Sequence, residues 1–247
     1  MTNKIFVTTF NYQLYEKYAY KLIDSYLKTN QDLKLYCYVE DDINLYPKDK
    51  NIIYLDLFKE QPLCFQFVER NKIKSQKNSK ISYLLDAVRF SYKVFAQSDA
   101  RKYSQQIFFL DADTEFLKTI PNVWFEKCLP NNSLISVYDR LGYYSEAGFV
   151  GFNNLLLNKK KQRLLDVFFH QYTSYYIYDL IYSLPAFTDC HALDATRSRF
   201  MLLKNYTEEH ANYNEKILGN WSKDQDLNVM DNDDFINKYI KHKKGNK

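Results

Sequence analysis

The sequence predicts a single α/β domain in which helices flank a mostly parallel central sheet. Segments typical of buried strands alternate with segments of helical periodicity, a pattern that favours parallel strand pairing. The chain has 247 residues, of which 46% are hydrophobic, and this is enough to bury one large core. No internal repeat or long linker divides the sequence, so we expect residues 1–247 to form one domain.

The N-terminal part predicts a strand, an amphipathic helix and two further strands. The stretch KIFVTT at 4–9 is typical of a buried first strand. A helix should follow, because bulky side chains recur there at a spacing of four, at Leu14, Tyr18, Leu22 and Tyr26. The next strands are predicted at 33–39 and 51–57.

The middle of the chain predicts a loop, a helix and a buried strand. Residues 69–80 are rich in Lys, Asn, Ser and Gln and are expected to form a flexible loop. Helical spacing then returns at Ile81, Leu84, Leu85, Val88, Tyr92 and Phe95. The apolar stretch QIFFL at 106–110 predicts a strand that ends directly before Asp111.

The C-terminal part predicts two more strands and a long helix. Strands are expected at 133–138 and 147–153, and a helix at about 155–182. The stretch LPAFTDCHALDATR at 184–197 is expected to be a loop. The final residues, 233–247, should be helical at first and then basic.

Composition and missing motifs exclude several classes of protein. The formal net charge of +4 allows an anionic substrate without requiring nucleic acid. The four cysteines show no metal-binding spacing and are expected to be buried thiols. No stretch is apolar enough for a signal peptide or a membrane span, so a cytoplasmic location is expected. The absence of GxxxxGK[ST], GxGxxG and GxSxG motifs disfavours P-loop NTPases, dinucleotide-dependent dehydrogenases and α/β-hydrolases.

Asp111 and Asp113 follow a buried strand at the end where parallel sheets collect ligands. Two carboxylates so close in sequence repel each other unless a cation lies between them. Mg²⁺ and Mn²⁺ prefer oxygen ligands and often take only one or two carboxylates, with substrate phosphates completing the shell. We therefore interpret the pair as a candidate divalent-metal site, with a solvated turn as the alternative.

Arg89 and Lys93 lie four residues apart on the helix that precedes the aspartates, so they share one face. Asp86 lies three residues before Arg89 and could pair with it. The sequence leaves open whether these cations serve a ligand or form a solvated ion pair.

Glu146 opens the stretch EAGFVGFN, which holds two of the chain's five glycines. Gly148 and Gly151 within a strand suggest a bulge or the close approach of another group. Glu146 is therefore a candidate catalytic or acceptor-binding carboxylate, with a strongly twisted strand as the alternative interpretation.

The stretch TDCHALDATR concentrates polar groups of several kinds, at Asp189, His191, Asp194 and Arg197. Neighbouring acidic and imidazole groups can serve as acid–base or ligand groups. Asp189 is a candidate catalytic residue, although Thr188 or Asp189 would also suit a helix cap.

The end of the chain offers a further candidate ligand in His242. A neutral imidazole is a good third ligand for Mn²⁺. Gly245 would allow backbone to approach a phosphate, and Lys247 would supply positive charge. A disordered basic tail is the alternative.

Taken in order, these segments resemble the GT-A type nucleotide-sugar glycosyltransferases. The likeness is to the branch that includes glycogenin, bacterial lipopolysaccharide sugar transferases and small phage-encoded relatives. It covers most of the chain, and its specific motifs are FFLDADT at 108–114 and HKKGNK at 242–247. The resemblance implies a single GT-A domain with a Rossmann-like sheet and a metal- and diphosphate-binding tail at 234–247.

The resemblance also implies roles for individual residues. Mn²⁺ or Mg²⁺ would be held against the diphosphate of a sugar nucleotide, with a UDP-sugar as the expected donor, by Asp111, Asp113 and His242. The diphosphate would be lined by Ala112, Gly245 and Lys247. The base and ribose would lie near Thr8, Phe10 and Tyr12, and the donor sugar and phosphates beside Arg89 and Lys93. Asp189 occupies the place of the family's Asp-Gln motif near the reacting carbon, but Cys190 follows it here.

The implied activity is transfer of a sugar with retention of its anomeric configuration. The acceptor stays open among a glycan, a protein and a modified DNA base, as does the oligomeric state. A non-catalytic sugar-nucleotide or glycan-binding domain of the same fold is the main alternative. A haloacid-dehalogenase-like phosphohydrolase also places Asp-x-Asp after an apolar strand, but it would need Thr or Val where this chain has Glu115.

Overall fold

The computed structural model describes residues 2–78, 83–131, 135–138, 145–154, 159–204 and 238–243. The strands are β1 (Thr2–Phe10), β2 (Lys34–Val39), β3 (Ile52–Asp56), β4 (Ser104–Leu110), β5 (Thr114–Phe116), β6 (Ile135–Tyr138), β7 (Glu146–Asn153) and β8 (Ile240–His242). Six of them form one sheet in the order β3-β2-β1-β4-β7-β6. The four strands β3, β2, β1 and β4 pair in parallel. β7 pairs antiparallel with β4, and β6 pairs antiparallel with β7. The predicted α/β class with a mostly parallel sheet is confirmed.

Helices cover the sheet. They are α1 (Tyr12–Leu14), α2 (Tyr20–Lys28), α3 (Leu57–Glu60), α4 (Pro62–Asn78), α5 (Ala87–Ala100), α6 (Asn122–Cys128), α7 (Lys159–Ile177) and α8 (Asp189–Lys204). A π-helical turn at Tyr15–Ala19 joins α1 to α2, and 3-10 turns occupy Ile43–Leu45, Tyr83–Leu85 and Leu180–Ser183. Within the described part of the chain, no helix is both long and apolar enough to cross a bilayer.

Side chains of β4 alternate between two hydrophobic cores, one on each face of the sheet. Ile107 and Phe109 point into the core that includes buried side chains of α5, α7 and α8. Phe108 and Leu110 point into the core that includes those of α2 and α6. Because successive side chains of a strand face opposite ways, a strand covered on both faces must be apolar throughout. This requirement explains the uninterrupted run QIFFL.

Two segments predicted as loops are helical. Residues 69–80 were expected to be a flexible loop, but α4 continues to Asn78. Buried Asn71 explains part of this difference, because it bonds the Phe67 carbonyl within the helix and the Asp179 carboxylate outside it. The predicted loop at 184–197 is also wrong from residue 189 onward, where α8 begins. A polar composition favours the prediction of an exposed loop, but in both segments tertiary contacts stabilise a helix instead.

The C-terminal residues expected to be helical and then basic include a strand. β8 pairs antiparallel with β5, in a small second sheet beside the end of β4. Buried Ile240 lies opposite Phe116 and belongs to the same hydrophobic core. Two further hydrogen bonds extend the pairing, from Leu117 N–H to the Tyr239 carbonyl and from Lys243 N–H to the Asp113 carbonyl. The tail is thereby fixed next to the aspartate turn.

Replacing Ile240 with Ala should loosen β8, because it removes the apolar anchor of a three-residue strand. Truncation of a buried Ile costs about 2–5 kcal/mol in a core. Here we expect the loss as local opening, measured as faster hydrogen exchange of the Leu117 and Lys243 amides. Lys241→Ala, at the exposed position of the same strand, is the control. Equal exchange in both variants would show that Ile240 does not anchor the tail.

Candidate metal centre

Asp111 and Asp113 lie on the turn that leads from β4 into β5, at the carboxyl end of the parallel strands. The Asp111 N–H donates to the Gly148 carbonyl at 2.8 Å, which continues the pairing of β4 with β7. The Thr114 N–H donates to the Asp111 carbonyl at 3.0 Å and closes the turn. The turn therefore places both carboxylates side by side.

His242 completes a cluster of three potential metal ligands. Its Nε2 lies 3.1 Å from Asp113 Oδ1 and 3.5 Å from Asp111 Oδ2. One ligand atom from each of the three residues lies within 4.8 Å of the others. Two carboxylates and an imidazole suit Mn²⁺ well and Mg²⁺ acceptably, so the donor set fits a divalent metal. The structure brings together the residues that the resemblance assigned to the metal, and their role as ligands stays a prediction.

The two carboxylates create an electrostatic potential that favours positive charge within this cluster. Burial disfavours a charged imidazole, yet the hydrogen bonds to Asp111 and Asp113 raise the pKa of His242 to about 10. A protonated ring thus balances part of the charge of the two carboxylates. The same field would attract a divalent ion to this place.

Lys93 is a second cation in contact with the cluster. Its Nζ lies 2.5 Å from Asp111 Oδ1 and 3.3 Å from Asp189 Oδ2, so it joins the end of β4 to the start of α8. Burial opposes the charge of Lys93, but the two aspartates raise its pKa above the usual range. Burial also opposes the charge of Asp111, but Lys93 and His242 hold the pKa of that carboxyl well below its usual range. Asp111 thereby presents one oxygen to each cation.

Asp189 is the first residue of α8 and is only 1% exposed. The helix-capping contact comes from Thr188, whose Oγ1 accepts a hydrogen bond from the His191 N–H at 3.3 Å. The carboxylate of Asp189 contacts Lys93 instead. Burial raises the pKa of Asp189, Lys93 counteracts the rise, and the charges of Asp111 and Glu146 add to it. Asp189 is therefore part of the same electrostatic cluster.

Gly148 allows the acidic groups and the imidazole to approach one another. A Cβ at this position would lie 2.7 Å from Asp111 Oδ2 and 2.8 Å from both Glu146 Oε1 and His242 Cε1. The Gly148 N–H also donates to Glu146 Oε1 at 2.9 Å, which turns this side chain back over its own strand. Both predicted features occur at Gly148: other groups approach it closely, and the register of β6 against β7 shifts across this position.

The three residues predicted to lie near a base and ribose differ in accessibility. Thr8 and Phe10 are fully buried in β1, where Phe10 contacts the rings of Tyr15 and Tyr46. Tyr12 lies beyond the end of β1 and is 36% exposed. Its ring stacks on Tyr15, with centroids 5.9 Å apart. Of these three residues, Tyr12 is the one with an exposed side chain.

Arg89 lies one helical turn before Lys93 but is exposed. Its backbone N–H donates to the carboxylate of Asp86, which caps α5. Its charge acts on Glu40, at the end of β2. Burial raises the pKa of Glu40 to about 8, although Arg89 and a hydrogen bond from Asn11 oppose the rise. The two basic residues thus have different neighbours, despite their common face of the helix.

Three further predicted residues have less structural support. Ala112 lies between the two aspartates, is half-buried and packs against the core beneath the turn. Gly245 and Lys247 lie outside the described residues, so their contacts with a diphosphate stay predictions.

Comparison of the sequence with protein-family models and with curated proteins finds no match. Among solved structures, the chain is similar to mouse xyloside xylosyltransferase 1 in its apo form, at 13% identity and a TM-score of 0.45. That likeness covers 68% of this chain and 72% of the mouse chain. The apo structure of the WbbM bifunctional glycosyltransferase is similar at 13% identity and a TM-score of 0.46. This second likeness covers 79% of this chain and 37% of WbbM.

Several contacts of the site had no signal in the sequence. The ion pair of Lys93 with Asp189 joins segments that are far apart along the chain. No sequence pattern marks Ser145, whose backbone N–H donates to Asp194 at 2.9 Å. The concentration of charge in TDCHALDATR was the available hint, and it did not reveal any partner.

Gly148→Ala should disrupt the cluster, because the added methyl group would lie under 3 Å from Asp111, Glu146 and His242. We expect weaker Mn²⁺ binding in calorimetry and a lower melting temperature. Gly151→Ala is the matched control, since a Cβ there meets Leu129 at an ordinary 3.4 Å. Unchanged Mn²⁺ affinity in Gly148→Ala would show that the close approach has no part in metal binding.

Proposed function

We propose that this protein is a metal-dependent glycosyltransferase that moves a sugar from a nucleoside-diphosphate sugar to an acceptor. The observation that carries the proposal is the convergence of Asp111, Asp113 and His242. They lie at the end of the sheet where parallel α/β folds bind ligands. A divalent ion at this place suits a substrate that carries phosphates. The resemblance of the FFLDADT and HKKGNK segments to GT-A enzymes supports the same function.

Asp111, Asp113 and His242 would hold Mn²⁺ or Mg²⁺. When bound, the ion would stabilise the negative charge that develops on the diphosphate as the sugar departs. The chain holds these ligands through two local structures, the turn after β4 and the pairing of β8 with β5. Gly245 and Lys247, beyond β8, would add backbone and ammonium contacts to the diphosphate.

Lys93 would keep Asp111 ionised and fix the orientation of its carboxylate. It contacts one carboxylate oxygen, and the other oxygen faces His242. It would also hold Asp189 beside the donor sugar. Arg89, one turn earlier on the same helix, would add positive charge near the donor phosphates.

Asp189 and Glu146 are the carboxylates that we propose to face the reacting carbon. Both are buried, and both adjoin Asp111, one through Lys93 and the other across Gly148. A carboxylate beside the anomeric carbon would stabilise the positive charge that develops there as the leaving group departs. We propose that the reaction retains the anomeric configuration. An inverted anomer in the first-formed product, identified by NMR, would exclude retention.

The nucleoside would extend from the diphosphate towards β1, the neighbour of β4 in the sheet. The exposed ring of Tyr12 offers a stacking surface for the base. Thr8 and Phe10 are buried beneath this region and would shape it from below. We propose a UDP-sugar as the donor, and a thermal-shift panel of UDP, CDP, GDP and ADP with Mn²⁺ tests the choice.

Asp113→Asn and His242→Ala should each weaken Mn²⁺-dependent binding of UDP by at least about 100-fold. Loss of a mere supporting contact already costs 10–100-fold in metal affinity, so loss of a ligand should cost more. Calorimetry with and without Mn²⁺ measures the effect. Glu115→Gln is the matched control, because Glu115 is close in sequence but pairs with Lys243.

Equal affinity of Asp113→Asn and the parent protein for UDP and Mn²⁺ would refute the metal site. A parent protein that binds UDP with Mn²⁺ but releases none from any UDP-sugar would be a binding domain rather than an enzyme.

Lys93→Met should lower the free energy of unfolding by about 3–5 kcal/mol, because it leaves buried carboxylates without their cation. Arg89→Ala should change it by less than about 0.5 kcal/mol, since Arg89 is exposed. Both variants should slow release of UDP from a UDP-sugar. Denaturant unfolding and a UDP-release assay measure the two effects. An unchanged rate in Arg89→Ala would assign Arg89 to the solvated surface.

A further inference from the structure

Asp194, Arg197 and Ser145 form a hydrogen-bonded network that the proposed function does not yet use. The Ser145 N–H donates to Asp194 Oδ2 at 2.9 Å, and its hydroxyl donates to Asp194 Oδ1. The Arg197 guanidinium lies 3.1 Å from Asp194 Oδ1 and also donates to the Ser145 hydroxyl. Every contact in this network includes a charged group, and hydrogen bonds to charged groups are stronger than those between neutral groups.

The network joins the two segments that carry the proposed catalytic carboxylates. Ser145 directly precedes Glu146, the first residue of β7. Asp194 and Arg197 lie on α8, which begins at Asp189. The network therefore joins the start of β7, which carries Glu146, to α8, which carries Asp189.

The network is largely buried. Ser145 is buried and Arg197 is only 9% exposed, while the side chain of Asp194 is 26% exposed. Buried ionic groups are weak evidence for stability, because removal from water costs about as much as the pairing returns. Fixing relative position is the use that such groups serve best.

Glu146 and Asp189 need such a constraint, because both are acidic and both are close to Asp111, Glu146 across Gly148 and Asp189 through Lys93. Glu146 Oε1 and Asp111 Oδ2 both lie under 3 Å from the position that a Gly148 Cβ would take. Lys93 bridges Asp111 and Asp189. Like charges repel each other, so contacts that join the segments carrying these carboxylates would oppose their moving apart.

We propose that Asp194 and Arg197 are positioning residues that set the separation of the Glu146 and Asp189 carboxylates. The inference rests on the proposed function, which makes these carboxylates face the reacting carbon. A displacement of about 1 Å in a catalytic group can cost about 100-fold in rate, so the network would matter for turnover more than for donor binding.

Arg197→Gln tests the proposal, with Arg101→Gln as its matched control. Arg101 pairs with Asp166 and donates a hydrogen bond to Asn154 at 3.3 Å. Asn154 directly follows the other end of β7. Both substitutions therefore remove a largely buried arginine that secures one end of the same strand. Arg197→Gln should lower the rate of UDP release from a UDP-sugar about 100-fold, with Mn²⁺-dependent UDP affinity unchanged. Arg101→Gln should leave the rate unchanged, and Arg197→Lys should recover part of it.

Crystal structures of the two glutamine variants give a second measurement, which does not depend on turnover. We expect the Glu146 carboxylate to move by about 1 Å or more relative to Asp189 in Arg197→Gln, and to stay in place in Arg101→Gln. If Arg197→Gln fails to fold, Ser145→Ala removes only the hydroxyl and should cause a smaller shift of the same kind.

Unmoved carboxylates in Arg197→Gln, or equal rate losses in the two arginine variants, would overturn the positioning role. A parent protein that releases no UDP from any UDP-sugar would refute the proposed function instead. The crystal comparison would still decide whether the network sets the carboxylate separation.

Discussion

The arrangement of the site depends on how acidic groups crowded at one end of the sheet are neutralised. Asp111 has the central place, because its two oxygens face two different cations, Lys93 and His242. One cation comes from a helix packed against the sheet, and the other from a strand near the end of the chain. Electrostatic balance thus requires that three distant segments meet. A fold that left out either cation would leave buried carboxylates facing each other at considerable cost.

The second constraint is steric. Glu146 and His242 can adjoin Asp111 only because position 148 carries no side chain. The same strand is held at its start by Asp194 and near its end by Asn154, which bonds Arg101. The start of the strand carries Glu146 and Gly148 and adjoins the site, and the contacts of Ser145 with Asp194 and Arg197 hold this end in place. Under the proposed function, this placement would keep the catalytic carboxylates in position.

The small sheet of β5 and β8 links the site to the C-terminal residues. His242 reaches the aspartates because Ile240 is buried in the core and sets the register of the strand. A ligand that contacts both His242 and the aspartates would stabilise this pairing, and the pairing would in turn favour the ligand by the same free energy. The acidic residues, by contrast, lie on a turn held by the main sheet. His242 is therefore the member of the cluster whose position depends most on tertiary contacts.

The apolar runs of β1, β2 and β4, the helix that carries Lys93 and the acidic turn after β4 followed from the sequence alone. Strands covered on both faces must be apolar throughout, and such runs are visible without any partner. The helical character of 69–78, the strand at Ile240–His242 and the pairing of Lys93 with Asp189 did not follow. Each depends on contacts with residues far along the chain, which local periodicity does not record. The sequence by itself determined which groups carry the charge, and the tertiary structure alone decided which of them face each other.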